Sequence, residues 1–495
     1  MMRVSVCVAL VSLVAGCRND AGRARAEVGT ARQLLFDDAL VESKVGFSLT
    51  MNPLVRTGGP ALRPAAPWER GCTSPSVVEA GGSYKMWYTA TDEGGVSRLC
   101  YAVSTDGAQW TRPEVGRFEY QGSKRNNIVS LQNGNVFLDP SASPERRFKR
   151  IGDGGKFAYK SVYGGGARFR YDRNPPATWH YSGVAGGYSP DGIHWTACQD
   201  ETIMPWYTDT ENIAFWDTRL KKYVAYVRWN EYLRVEDGAL RGSFDYRAVA
   251  RSESDDFEHF PPPRKILEPD FTHPDDADLW GGGLYDSAAV QYPWAADSYF
   301  IFTAAYHHTS DTTDIQLATS RDGIRFTRWR EPILRLGPRG AFDSHMLYMG
   351  SGILPVGDEL NLYYSGYDQP HDQGRAAEYR AAIGRVRMRR DGFVSQDAGT
   401  LEGTLTTIPF TLSGRRLEVN LDGSSRGWLK AELLDEAGRP LPGFARSDAD
   451  RLFGNDMRAR VTWAGRDDLS SQRGKTVRLR FVGQSVKLYA FQFLE

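Results

Sequence analysis

Tyr101-Ala-Val-Ser104-Thr-Asp106-Gly107-Ala-Gln-Trp110 reads as an apolar strand running into a serine, an Asp-Gly turn and an aromatic residue. The pattern returns four times. Gly187-Tyr188-Ser189-Pro-Asp191-Gly192-Ile-His-Trp195 is followed by Ala248-Val-Ala-Arg-Ser252-Glu-Ser-Asp255-Asp256-Phe257. Then come Ile315-Gln-Leu-Ala-Thr-Ser320-Arg-Asp322-Gly323-Ile-Arg-Phe326 and a worn Val386-Arg-Met-Arg-Arg-Asp391-Gly392-Phe393. From Asp106 to Asp191, Asp255, Asp322 and Asp391 the steps are 85, 64, 67 and 69 residues. That period is too long for a helical repeat and suits a four-stranded blade with variable loops. The expected fold class is all-β, a five-bladed β-propeller followed by a C-terminal β-sandwich.

Reading outward from each turn supplies the other strands. Aromatic or apolar runs precede the serine-ending strands at Tyr84–Tyr88, 148–151, 223–227, 299–302 and 360–364. Before those lie short runs of small and apolar residues at 75–78, 135–138, 212–216, 287–290 and 350–354. Continuous burial giving way to alternation is the order expected from the axis of a blade to its edge. Residues 33 to about 68 precede the first blade and are expected to lie on the propeller surface or to close the ring by joining the last blade. The repeat stops near Gly399. Beyond it, alternating stretches such as Arg416-Leu-Glu-Val-Asn-Leu421 and Val477-Arg-Leu-Arg-Phe-Val482 indicate the sandwich.

The first residues read as a targeting segment. Arg3 precedes a short apolar run, Val4 to Val14, ending in Val14-Ala15-Gly16-Cys17, which resembles a bacterial lipobox. The expected organisation is a lipoprotein signal at 1–17 with Cys17 lipidated, a tether at 18–32, the propeller as catalytic domain at 33–399 and an accessory sandwich at 400–495. The expected location is the outer membrane, held by the lipid anchor alone, with secretion as the other outcome. Lys+Arg and Asp+Glu are both 61, so bulk charge favours no nucleic-acid partner. Cys72, Cys100 and Cys198 remain outside the signal; an odd number makes no complete disulfide framework, and Cys72 and Cys100, in one expected blade, either pair or stay as small buried free thiols.

A propeller binds ligands at one mouth of its channel, where the innermost strands begin. Residues just before those strands are Ser74, Asn133, Glu211, Asp286 and Met349. Carboxylates therefore cluster in blades three and four, joined by Asp209 if its strand extends backward. Glu211, Asp286 and Asp209 are the catalytic candidates. Cleaving a glycosidic bond needs one carboxyl protonated to donate to the leaving oxygen and another ionised to activate water or attack carbon. Like-charge repulsion and burial split such pairs. Arg228, Asp343, His345, His307 and Trp280 are the candidate substrate-binding residues. No cofactor is required by this chemistry; a structural calcium in the channel is compatible with it. The Asp-Gly turns are read as structure, because every blade has one while a site needs its residues once.

Tyr84-Lys-Met-Trp87-Tyr88 followed by Ser-x-Asp-Gly-x-x-Trp, with acids on inner strands, resembles the five-bladed glycoside hydrolases of families 32 and 43 and their relatives. The whole chain also resembles a group of secreted bacterial proteins, common in planctomycetes, with a sandwich ending like Leu488-Tyr-Ala-Phe-Gln-Phe493. The first resemblance implies a glycoside hydrolase acting on a polysaccharide or oligosaccharide, with Glu211 at the position of the blade-three proton donor. The acid that these families use in blade one is Ser74 here, in Cys72-Thr-Ser-Pro-Ser76. Neither Trp-Met-Asn-Asp-Pro-Asn-Gly nor Arg-Asp-Pro occurs, so family roles do not transfer to blades one and two. A glycoside phosphorylase, with a basic pocket near Arg228, and a non-catalytic glycan-binding lipoprotein are the alternative expectations.

Overall fold

The computed structural model describes residues 28–158, 180–199, 202–206, 208, 210–231, 246–371 and 380–495. Cys17 and the signal and tether up to residue 27 lie outside the described residues, as does Asp209. Among the described residues no helix is long and apolar enough to cross a membrane.

The chain is a five-bladed β-propeller with a β-sandwich. Blade one pairs Gly71–Ala80, Ser83–Thr91, Ser97–Ser104 and Ile128–Ser130 in order. Blade two is Asn135–Leu138, Phe148–Ala158, His180–Ser189 and Thr196–Ala197. Blade three runs Ile213–Asp217, Lys222–Glu231, Tyr246–Ser254 and Arg264–Leu267. Blade four is Gly283–Gln291, Tyr299–His307, Thr312–Ser320 and Thr327–Leu334. In blade five the innermost strand is split into Met346–Met349 and Leu354–Val356, followed by Glu359–Tyr367 and Ala381–Arg389. Its outermost strand is Val55–Arg56, paired with Val386 and Arg387, so the ring is closed by chain from its own start.

The break in blade five falls where a continuous run at 350–354 was expected. Gly350 and Gly352 pass the inner strand of blade one so closely that a Cβ would stand 2.2 Å from the Pro75 carbonyl oxygen and 2.1 Å from that of Val77. Backbone approach at the axis has displaced the regular strand there.

The Ser-x-Asp-Gly turns join blades. The Asp106 carboxylate accepts from the backbone N–H of Ala108 (2.7 Å) and Gln109 (2.8 Å), and Ser104 Oγ accepts from Gly107 N at 2.9 Å. Donation from Gln109 and then Ala108 holds the Asp106 carboxyl below the usual range. The glycine carbonyl then receives a side chain from the preceding blade: Tyr363 O–H reaches Gly107, Trp87 Nε1 reaches Gly192 at 2.7 Å, and Tyr226 O–H reaches Gly323 at 2.8 Å. In blade three the bonded pair is Ser254 and Asp256, two and one residues beyond the Ser252 and Asp255 read from the sequence. Phe257 takes the left-handed position with φ 68° that glycine occupies elsewhere.

The sandwich draws on both chain ends. One sheet orders Phe47–Met51, Val394–Ala398, Val486–Leu494, Arg416–Asp422 and Asn455–Arg460, with Gln33–Leu34 added to the C-terminal strand. The other orders Val41–Val45, Gly403–Thr407, Thr476–Gln484, Trp428–Leu434 and Leu452–Phe453. Strands before residue 52 and from 394 onward thus pair within the sandwich, so its edges differ from the expected division at 399/400. Phe36 meets Phe300 of blade four edge-on at 5.5 Å, and Asp391 accepts from Arg32, Tyr292 and Asn420, fastening sandwich to propeller.

Candidate functional site

Blades one and four each make a β-bulge at the inner end of the first strand. Thr73 pairs with Thr89 and Ser76 with Trp87, so Ser74 and Pro75 oppose one residue. Leu284 pairs with Ala305 and Ser287 with Thr303, leaving Tyr285 and Asp286 in the same relation. A bulge turns its side chains out of the ladder, here into the channel. Ser74 takes φ 52° to do so, and its N–H is held by Ser365 Oγ at 2.9 Å.

The channel opens into a cavity of about 740 Å³, lined by Ser74, Asn133, Glu211, Arg228 and Asp286 together with residues of every blade. Hydrogen bonds tie the inner strands around it. Ser76 Oγ donates to Asn135 Oδ1 (3.0 Å), Asn135 Nδ2 to the Asn212 carbonyl (3.1 Å), and Asn212 Nδ2 to Asp153 Oδ1 (3.2 Å). Those bonds fix the backbone next to Glu211.

Glu211 is partly buried as a residue, but its Oε2 is closed to solvent and has no hydrogen-bond partner. Burial raises its carboxyl well above the usual range, the neighbouring Asp286 charge raises it further, and the nearby Ser74 side chain pulls modestly the other way. Asp286 is 5% exposed, accepts a hydrogen bond from Thr210 Oγ1, and has Arg228 Nη2 3.8 Å from the same oxygen. Arg228 is itself 4% exposed; its Nε donates to the Tyr285 carbonyl (3.4 Å) and its guanidinium lies 4.3 Å from the Tyr285 ring. Burial and a like charge therefore push one acid up, while its neighbour sits beside a buried cation.

The other expected site residues lie elsewhere. Asp343, 2% exposed, accepts from Arg56 Nε (2.8 Å) and Tyr364 O–H (2.7 Å) and does not line the cavity. His345 bonds Ser344 Oγ at 2.9 Å. His307 lies 3.0 Å from Asp314, whose hydrogen bond raises its pKa. Trp280 is 48% exposed and packs on Phe271 at 4.9 Å. None of these three lines the cavity. Trp206 and Trp229 pack on each other at 5.0 Å within a core cluster. Cys72, Cys100 and Cys198 are buried free thiols. Among the described residues no group of three His, Cys, Asp or Glu is disposed to hold a metal.

Asp153, Tyr285 and Tyr348 line the cavity without having been singled out in the sequence. Asp153 lies on the second strand of blade two, and Tyr285 O–H meets His371, a weaker sequence candidate, at 2.9 Å from Nε2. Tyr348 is the most suggestive. Among the described residues its phenol has only Met346 Sδ, a weak acceptor, at 3.6 Å. Burial and then Asp286 push its pKa well up, so it remains a donor facing the acids.

No family model matches the sequence, and no curated protein does. Among solved structures, a glycosyl hydrolase from Bacteroides ovatus aligns at 14% identity and a TM-score of 0.45 over 69% of this chain and 94% of its own. A structure described with the glycoside hydrolase family 130 mannoside phosphorylases and β-1,2-mannosidases aligns at 15% and 0.42, over 69% and 94%. A Bacillus subtilis family 43 arabinoxylan arabinofuranohydrolase aligns at 12% and 0.38, over 88% and 99%. Likeness at this level assigns neither activity nor substrate, and the fold stands on the strand pairings themselves.

Proposed function

We propose that the protein is a glycoside hydrolase acting on a polysaccharide or oligosaccharide at the channel mouth. The observation that carries this reading is the Glu211–Asp286 pair: a solvent-excluded carboxyl with raised pKa beside a carboxylate next to Arg228. Glu211 serves as general acid, delivering its proton to the leaving glycosidic oxygen. Asp286 bears the negative charge of the pair and acts as the opposing carboxylate, toward water or the anomeric carbon. Arg228 orients Asp286 and stabilises its ionised form. Asp209 remains a candidate for the second carboxylate role.

A second reading, glycoside phosphorolysis, is favoured by Arg70, Arg228 and Arg247, which line the same cavity and suit an incoming phosphate. A glycan panel with and without inorganic phosphate separates the two. Hydrolysis predicts phosphate-independent turnover, lost in Glu211→Gln and in Asp286→Asn. Unaltered turnover in both variants rejects the site assignment, and binding without turnover on any glycan rejects the enzyme. We also infer export with a lipid on Cys17; labelled palmitate that labels Cys17→Ser equally rejects it.

A further inference from the structure

We propose a second binding site, for an acidic glycan unit, in the cleft between propeller and sandwich. The cleft encloses about 320 Å³ and is walled by Trp294 and Arg390 from the propeller and by Glu418, Met457, Arg458 and Gln492 from the sandwich, with Arg32 between them. It lies outside the channel cavity, sharing no lining residue with it.

Arg390 carries the inference. Arg32 has Asp391 at 2.5 Å, and Arg458 has Asp358 at 3.2 Å. The Arg390 guanidinium makes no ion pair or side-chain hydrogen bond among the described residues; it rests on the Trp294 ring at 4.4 Å, and its Nε is closed to solvent. An arginine whose Nε is closed to solvent and without a partner, and whose charge has no counter-ion among the described residues, leaves a donor and a charge that a ligand in the cleft can answer. A fork stacked on an aromatic plane is pre-organised for bidentate bonding to a carboxylate or sulfate. Across the same cleft the Glu418 carboxylate also has no hydrogen bond or ion pair among the described residues. Glu418 would repel a bare anion, but it accepts from hydroxyl groups. A ligand bearing an anion for Arg390 and hydroxyls for Glu418 answers both, and a uronate or sulfated sugar has that form.

The ligand class rests on the carbohydrate reading above, whereas the site does not require turnover, and the test keeps them apart. The full chain carrying Glu211→Gln is titrated with polygalacturonate oligomers, with dextran, and with sodium sulfate, in the presence and absence of Arg390→Gln. The expected result is saturable binding of the uronate oligomers that falls at least tenfold in Arg390→Gln and weakens with added salt, with no binding of dextran. Arg390→Lys, which keeps the charge and loses the fork, should bind between the two and guards against a variant that fails to fold. Absence of uronate binding, affinity indifferent to both Arg390 variants, or equal affinity for dextran overturns the proposal. Sulfate binding as tight as the oligomers overturns the glycan class. Loss of turnover in Glu211→Gln with uronate binding intact leaves the cleft standing, while failure of hydrolysis in the wild type bears only on the channel.

Discussion

Blades one and four bulge at the same point of the same strand, and the bulges present different chemistry. Blade one offers Ser74 and blade four offers Asp286. The outer turns behave in the opposite way: Ser104-x-Asp106-Gly107, Ser189-x-Asp191-Gly192 and Ser320-x-Asp322-Gly323 repeat side chain for side chain, and their hydrogen bonds repeat with them. Repetition of residues marks the places where blades are fastened. Repetition of backbone with divergent residues marks the channel mouth, where the proposed site lies.

The largest effect should come from breaking the inner pair. Glu211→Gln removes the transferable proton, and kcat/KM on the cleaved glycan should fall by about 10³, or roughly 4 kcal/mol of barrier. The wild-type profile should lose activity as pH rises through the raised pKa of Glu211. Stability carries the same sign. A carboxyl whose pKa is higher folded than unfolded binds its proton more tightly when folded, so that contribution is present at low pH and lost as pH rises through the folded value. The Gln variant should therefore unfold at a temperature equal to or above that of wild type at alkaline pH while remaining inactive. Lower stability at high pH would show that Glu211 is not held neutral.

Breaking an outer turn should damage the fold and leave the chemistry alone. Gly192 has φ 81°, and a Cβ there would stand 2.2 Å from Trp87 Cζ2. Gly192→Ala should cost about 3 kcal/mol from backbone strain and overpacking, seen as a lower denaturation midpoint. The pH at which activity falls should not move. The turn acids contribute in the direction opposite to Glu211. For Asp191, burial acts to raise the pKa, but hydrogen bonds from His194 and Ile193 outweigh it and bring the carboxyl down to about 2. Its contribution is present above the unfolded value near 4 and lost as pH falls toward 2.

That division explains what the sequence made legible. Four serine-aspartate turns and a worn Asp391-Gly392 reveal the blade number because turn chemistry is local. Glu211, Asp286 and Ser74 were legible because residues at the inner ends of the first strands, taken in register, face the same mouth, and Arg228 because it lies in the strand after Glu211. Tyr348 was not, since the break at Gly350 to Gly352 shifts the blade-five register and hides a strand starting at Met346. Asp343 and His345 share the approach to that strand, but Arg56 and Tyr364 claim the carboxylate, a partnership across 287 residues to Arg56 that no local pattern carries. The strands at 33–51 escaped for the same reason, their partners being at the far end of the chain.

Tyr348→Phe should sharpen the inner side of the comparison with a smaller loss. Its phenol is a donor near Asp286 with only a thioether to bond among the described residues, so it is available to a substrate hydroxyl. Removing one such donor should lower kcat/KM about tenfold, or ~1.4 kcal/mol, and leave thermal stability nearly unchanged, because the thioether bond lost is weak. A stability loss without a kinetic one would make Tyr348 a packing residue.

The smallest effect lies at Ser74, where the comparison between blades one and four began. Ser74→Ala keeps the Cβ and the φ 52° backbone, so the bulge should persist. It removes a neighbouring group that draws the Glu211 carboxyl downward against burial and the Asp286 charge. The alkaline limb of the activity profile should then move to higher pH by a fraction of a unit, worth under about 1 kcal/mol, with little change in maximal turnover. A limb that stays in place would mean Ser74 does not act on Glu211. A collapse of turnover would give Ser74 a direct part in the reaction, and blade one would then contribute chemistry of its own in place of an acid.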